Sequence, residues 1–180
     1  MQEHRLSVRE MNLQDIPLII SYWLNASREQ LQQMGVDPAK LPQKEQLQQM
    51  LESQYFLPLE QKRSFCLIWE EEGVSIGHCN TNPTFFGDHA FMHLHIWKTD
   101  NRRQGIGAKG VAYSLPIFFD KLKLKTIYSE PYALNVAPNK TLEKLGFELE
   151  KEYITTPGSL NFEQPVKRWR LTIEKYQSHQ

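Results

Sequence analysis

Before residue 60 the apolar positions recur every three or four residues; from residue 64 they recur every second residue. The first period is that of a helix with one buried face, the second that of a half-buried strand. Ser7–Met11 predicts a first strand. Asn12 and Asp15 then open a helix carrying Ile16, Ile19, Ile20, Trp23 and Leu24, with Pro17 tolerated in its first turn. Residues 28–55 repeat the hexapeptide Glu-Gln-Leu-Gln-Gln-Met, at 29–34 and 45–50. Two copies make no solenoid, which needs at least three stacked units. They predict two short amphipathic helices, with a stop at Gly35 and an elbow at Pro38 and Pro42.

Ser64–Trp69 and Val74–Cys79 predict two strands joined by the turn Glu70–Gly73. Pro83 and Gly87-Asp88 then bound a loop. His89–Trp97 is a third strand, with Phe91, His93, His95 and Trp97 on one face and Met92, Leu94 and Ile96 on the other. Gln104–Lys123 predicts a helix with the stripe Val111, Leu115, Phe118 (or Phe119) and Leu122, kinked or cut short by Pro116. A strand at Thr126–Ser129, a helix at Pro138–Leu145 capped by Gly146, and strands near 147–156 and 165–174 complete the chain. The order β-α-α-β-β-β-α-β-α-β-β, with no linker, predicts one α/β domain over residues 1–180.

Composition narrows the class. The 180 residues are 40% hydrophobic and 23% charged, which excludes a disordered, collagen-like or coiled-coil chain. No apolar run reaches membrane-spanning length, and the N-terminus has no secretory signal core. Cys66 and Cys79 lie in apolar strands and read as buried free thiols, consistent with a cytoplasmic protein. Neither CxxC nor HExxH spacing occurs, so no metal is expected. His78 and His89 read as surface or loop residues. Net charge is zero, unlike a nucleic-acid binder, but Lys98–Lys125 holds seven Lys/Arg against two Asp, a local +5. Such a stretch suits a small polyanion.

The sharpest motif lies inside it: Arg102-Arg103-Gln104-Gly105-Ile106-Gly107-Ala108-Lys109-Gly110, between a strand and a helix. Glycines there let backbone N–H groups close on an anion, and the helix N-terminus adds positive potential. Gly105-x-Gly107-x-x-Gly110 also fits a dinucleotide fingerprint. However, seven polar or charged residues separate it from the strand, and the sheet before it is a meander. A Walker A loop fails because Val111 follows Gly110.

Arg-x-x-Gly-x-Gly behind a long strand resembles the acyl-CoA signature of the GNAT N-acetyltransferases. Asn135, eleven residues before Gly146 in Asn135…Leu142-Glu-Lys-Leu-Gly146-Phe147, resembles that family's second block. The likeness spans essentially the whole chain. It is nearest the ribosomal-protein N-terminal-alanine branch and the aminoglycoside and siderophore branches. It implies the GNAT fold, a mixed and mostly antiparallel sheet of six or seven strands flanked by helices. Residues 98–146 would form the acyl-CoA core and 25–60 a helical substrate lid.

The resemblance further implies acetyl-CoA as cosubstrate, an amine acceptor, and no nucleic-acid or membrane partner; it admits a homodimer. Gly105, Ile106, Gly107 and Ala108, with Arg102, Arg103, Gln104 and Lys109, would hold the pyrophosphate. Ile96 and Trp97 would border the pantetheine arm, Asn135 would bond it, and Lys140 or Lys144 would reach the outer phosphates. The family's usual general acid is a Tyr where this chain has Leu142, which leaves Tyr128, Tyr132 or water for that role. A Lys-type amine is only ~0.1% neutral or less at pH 7, and an α-amine roughly 10–20%. A base poised near 7 therefore helps most. His93 and His95 fit, and Glu130 is the next candidate. The expected reaction is direct attack in a ternary complex. The alternative is a non-catalytic CoA-binding or interaction module on the same fold.

Overall fold

The computed structural model describes residues 6–97 and 105–178. Strands β1 (Leu6–Glu10), β2 (Phe65–Glu71), β3 (Val74–Phe85), β4 (His89–Ile96), β5 (Thr126–Ser129), β6 (Glu148–Thr155) and β7 (Gln164–Thr172) form one sheet. Its spatial order is β1-β2-β3-β4-β5-β7-β6. Every neighbouring pair is antiparallel except β4 and β5. Helices α1 (Ile16–Leu24), α2 (Arg28–Gln33) and α3 (Lys44–Phe56) precede β2. Helix α4 (Ile106–Lys121) joins β4 to β5, α5 (Val136–Lys144) joins β5 to β6, and α6 (Ile173–Ser178) follows β7. The architecture is the mixed, mostly antiparallel α/β sheet of the GNAT fold. No described helix is long and apolar enough to cross a membrane.

Alternation along the strands divides the sheet into two faces. Met92, Ile127, Trp169 and Leu171 point to one face, where Val111, Leu115, Phe118 and Leu122 of α4 complete a core. Each such side chain, fully buried, contributes ~1.5–3 kcal/mol. That burial carries α4 on past Pro116 to Lys121, so the early stop that the sequence admits there does not occur. Gly110 lies where α4 presses on β2: a Cβ there would sit 2.5 Å from the Trp69 ring. Below this contact the Trp69 indole N–H donates to Ser114 Oγ, and Ser114 Oγ–H donates to the Gly110 carbonyl. The third glycine of the motif therefore serves the packing of α4 on β2.

On the other face α1 covers β3 and β4. Asn12 caps the turn before α1: its side chain accepts from the Gln14 N–H, and its own N–H donates to Asp15. The Asp15 carboxylate also accepts from both terminal nitrogens of the Arg9 guanidinium at 2.7 and 2.8 Å, which ties the turn before α1 to β1.

Three sequence expectations need correction. Strand β3 does not end before Pro83; it runs to Phe85 through a bulge between Thr81 and Thr84. His78 is buried, not a surface residue. The unpredicted α6 is held by its start, where the Ile173 N–H donates to the Lys125 carbonyl. The predicted helix start at Gln104 lies outside the described residues. Cys79 is buried and Cys66 half-buried, and both are free thiols.

Candidate active site

Strands β4 and β5 pair over only three steps, His89–Thr126, Ala90–Ile127 and Phe91–Tyr128. At the next step a side chain takes over: Ser129 Oγ–H donates to the Met92 carbonyl at 2.9 Å. Beyond it β4 continues to Ile96 paired with β3 but not with β5. The Trp97 N–H donates to the Ile76 carbonyl on β3. By alternation His95 and His93 also turn their backbone groups to β3, while Leu94 turns its N–H and C=O into the opening beside β5.

A cavity of about 1280 Å³ runs through this opening. Among the sequence-predicted residues, His93, His95, Ile96 and Glu130 line its centre. Gly105, Gly107, Ala108, Asn135 and Lys140 line one end. Trp97, Ile106 and Lys109 do not reach it. Ile106 is buried in the core, Lys109 is exposed, and the Trp97 indole N–H donates to His78 Nδ1 at 2.7 Å. Arg102, Arg103 and Gln104 lie outside the described residues.

The glycine end suits an extended anionic ligand. Gly105 caps α4 at φ +73°, a left-handed conformation that glycine adopts without strain. A Cβ on Gly107 would come within 3.4 Å of Ile96 Cδ1, so the seam between α4 and β4 is one atom wide there. The first N–H groups of α4 have no intrahelical partner and point out of the helix end. An open strand edge, a narrow seam and a helix N-terminus in line fit a chain ending in phosphates.

His93 stands where the strands part. Its Nε2 lies 2.8 Å from the Asn82 carbonyl oxygen, which can only accept, so Nε2 carries the hydrogen. The neutral ring then has its lone pair on Nδ1. The bulge in β3 makes this bond possible, since Asn82 is one of the residues the bulge releases from the ladder. Loss of bulk water lowers the His93 pKa, while the Asn82 bond and the nearby Glu130 charge partly oppose the shift.

His95 is held differently. Its Nδ1 is 3.2 Å from the Tyr22 hydroxyl, and its ring stacks on His78 at 4.6 Å. Burial pushes the His78 pKa down to about 3 and lowers that of His95 well below the usual imidazole value. Both rings are neutral at pH 7 and packed among Tyr22, Trp23 and Trp97.

Glu130 directly follows β5 with its side chain 8% exposed. One oxygen, Oε1, accepts from Arg168 Nε and from the Tyr153 hydroxyl. Leu142 is fully buried in the core and supplies no acid. Tyr132 lines the cavity, whereas Tyr128 stacks on Phe91 away from it. Sequence reasoning missed Asn139. This buried side chain donates to the Asn135 and Tyr132 carbonyls and accepts from the Trp169 indole, fixing the turn from β5 into α5. The signal was a polar residue on the inward stripe of α5.

The turn after α2 is latched to the β6–β7 loop. Gln164 Nε2 and Asn161 Nδ2 both donate to the Gly35 carbonyl, and the Asp37 N–H donates to the Leu160 carbonyl. The turn after α2 and the β6–β7 loop thus join across the cavity.

A model of the acetyltransferase (GNAT) domain matches residues 5–148. No curated protein matches by sequence. The fold is similar to that of RimL, a ribosomal L7/L12 α-N-protein acetyltransferase solved with coenzyme A, with TM-score 0.75 and 15% identity over 94% of this chain and 95% of that one. It is also similar to spermidine N-acetyltransferase from Vibrio cholerae in complex with CoA and spermine, with TM-score 0.77 and 17% identity over 96% and 98% of the two chains. Aminoglycoside acetyltransferase AAC(6')-Ib with coenzyme A gives TM-score 0.71 and 18% identity over 97% and 98%.

Proposed function

The chain belongs to the GNAT acetyltransferase family, and from that premise we propose that it moves the acetyl group of acetyl-CoA to a primary amine by direct attack in a ternary complex. The observation that carries this reading is the bare Nδ1 of His93 at the point where β4 leaves β5, beside the Leu94 N–H that faces the same opening.

Acetyl-CoA supplies a thioester-activated acetyl group. The N–H groups at the head of α4, from Gly105 to Ala108, hold its pyrophosphate together with Arg102, Arg103 and Gln104. The Leu94 edge of β4 takes the arm as an added strand, Ile96 and Asn135 border it, and Lys140 meets the outer phosphates. The Leu94 N–H receives the negative charge that develops on the carbonyl oxygen. His93 Nδ1 takes the amine proton. Tyr132, the phenol that lines the cavity, returns a proton to the departing sulfur.

The acceptor wall favours an amine of moderate pKa. Tyr22, Trp23 and Met34 give it apolar and aromatic surface, and Gln30, Gln33 and Asn161 give it uncharged hydrogen-bonding groups. A neutral imidazole deprotonates an α-amine at modest cost, but a Lys side chain stands about four pKa units away, or ~5 kcal/mol. The acceptor is therefore a peptide N-terminus or a small amine such as an amino sugar.

The test measures release of the CoA thiol together with formation of acetylated amine at pH 7.5. The panel is alanine tripeptide amide, glucosamine, lysine and spermidine. The tripeptide or the amino sugar should give the highest kcat/KM. Binding of CoA without turnover of any amine would make the chain a non-catalytic module.

A further inference from the structure

Across β4, β5 and β7 the sheet places three ionisable side chains in one row on the acceptor face. The last β4–β5 pair is Phe91–Tyr128, whose rings stack at 5.4 Å. Two residues further, on the same face, come His93 and Glu130. On β5's other side Ser129 pairs with Trp169, which sets Arg168 beside Glu130. The row His93–Glu130–Arg168 thus lies at the mouth of the opening.

Its middle member is built to stay fixed. Arg168 sits over the Phe91 and Tyr128 rings, each centroid 5.5 Å away, and over Tyr153 at 5.4 Å. From that box its Nε reaches Glu130 Oε1, and its second terminal nitrogen donates to the Tyr153 hydroxyl at 2.9 Å. Glu150 of β6 lies 3.8 Å from the remaining guanidinium nitrogen. Burial and the Glu130 charge both raise the Tyr153 pKa, so this phenol remains a donor. Tyr153 and Arg168 both bond Glu130 through Oε1, and Oε2, bonded by neither, is not sealed from solvent. Since Glu130 lines the cavity, Oε2 opens into it.

We propose that Glu130 anchors the acceptor's ammonium: Arg168 and Tyr153 hold one carboxylate oxygen, and the other, in the cavity beside His93, takes the charged amine before its proton is removed. The inference rests on the acetyl-transfer reading above. It answers a difficulty in that reading, because most of an α-amine arrives protonated at pH 7. The proton passes from the ammonium nitrogen to His93 Nδ1, leaving a neutral amine and an imidazolium; once that amine has attacked, its second proton replaces the one that Tyr132 gives to the departing sulfur, and the imidazolium returns its proton to water. The positive charge stays beside the same carboxylate before and after the transfer. Charge is therefore relocated rather than created in a partly dry site. Glu130 touches the substrate, whereas Arg168 acts through Glu130 and is a positioning residue. The recognised chemistry is one primary ammonium on an otherwise uncharged body, since the single open oxygen offers one ionic contact.

The experiment measures kcat and KM for whichever of the four panel amines is turned over fastest, in Glu130→Gln, Arg168→Gln and Arg168→Lys. Glu130→Gln should raise the amine KM tenfold or more. Its kcat should stay within about threefold, the acetyl-CoA KM should not change, and the acidic limb of the pH–rate profile should persist. Arg168→Gln should raise the amine KM similarly, and Arg168→Lys should recover part of the loss, which a merely structural role would not predict for a box shaped around a guanidinium. Melting temperature and CoA affinity report whether each variant is folded. An unchanged amine KM in folded Glu130→Gln overturns the anchor and leaves His93 as base. A hundredfold fall in kcat with loss of the acidic limb makes Glu130 the base, which overturns both the anchor and the role given to His93.

Discussion

The His93 imidazole donates its Nε2 hydrogen to the Asn82 carbonyl at 2.8 Å, and this bond selects the nitrogen that can accept a proton. The donor is on the strand that opens the site, and the acceptor is on a bulge of the neighbouring strand. A backbone carbonyl does not titrate, so the tautomer is held across the working pH range. His95 has no equivalent hold from a carbonyl, because its Nδ1 meets the Tyr22 hydroxyl instead.

Two glycines in the first turns of α4 should respond oppositely to substitution. Gly107→Val directs branched carbons into the seam beside Ile96, so acetyl-CoA binding by calorimetry should weaken by tenfold or more with the melting temperature nearly unchanged. Gly110→Ala drives a Cβ onto the Trp69 ring and should cost ~1–3 kcal/mol of stability. Equal loss of CoA affinity in both, without loss of stability in Gly110→Ala, would contradict these assignments.

The buried His78 makes the fold acid-sensitive. Its folded pKa is about 3, below the ordinary value of 6.5, so the unfolded chain takes up a proton that the folded chain refuses. The penalty is absent above about pH 6.5 and grows as pH falls toward 3, reaching roughly 3 kcal/mol by pH 4. Melting temperature should fall over that interval. In His78→Gln, which keeps an acceptor for the Trp97 indole, the fall should be shallower. An identical slope would assign the acid sensitivity elsewhere.

The latch should act on the acceptor alone. Gly35 has φ +76°, and a Cβ there would meet Gln164 Oε1 at 2.0 Å. Gly35→Ala should therefore part the turn after α2 from the β6–β7 loop and raise the amine KM about threefold or more. The acetyl-CoA KM should hold, because the cofactor end lies at α4. Matched changes in both constants would mean that the latch supports the whole cavity.

Local patterns were legible because their causes are local. The alternation of Phe91 to Trp97 placed His93 and His95 on one face, and Thr126–Ser129 was read to the residue. The glycines at 105 and 107 were read as the head of a helix, and Gly105 caps α4 in a left-handed conformation. What was not legible depends on partners distant in sequence. In β3, Ile76 to Cys79 are buried on both faces, so alternation vanishes and His78 loses its signal. Its neutral burial depends on Trp97 and His95, which fold over it only in three dimensions. Pro83 looked like a strand end because a bulge has no periodicity. Arg168 looked like one charge among many in a closing strand, and its aromatic box draws on β4, β5 and β6.

The central claim, that His93 is the base for acetyl transfer in this opening, meets its most direct test in the pH dependence of kcat/KM. Partial loss of bulk water at the cavity wall lowers the His93 pKa from its ordinary value of 6.5, so the neutral, competent form persists to mildly acidic pH. The wild-type rate should hold from pH 7.5 down to about 6.5 and fall below that as Nδ1 gains a proton. His93→Gln should reduce the rate roughly 10²-fold or more and flatten that limb, while CoA affinity and melting temperature stay close to wild type. A His93→Gln enzyme that keeps both the wild-type rate and the wild-type limb would contradict the account.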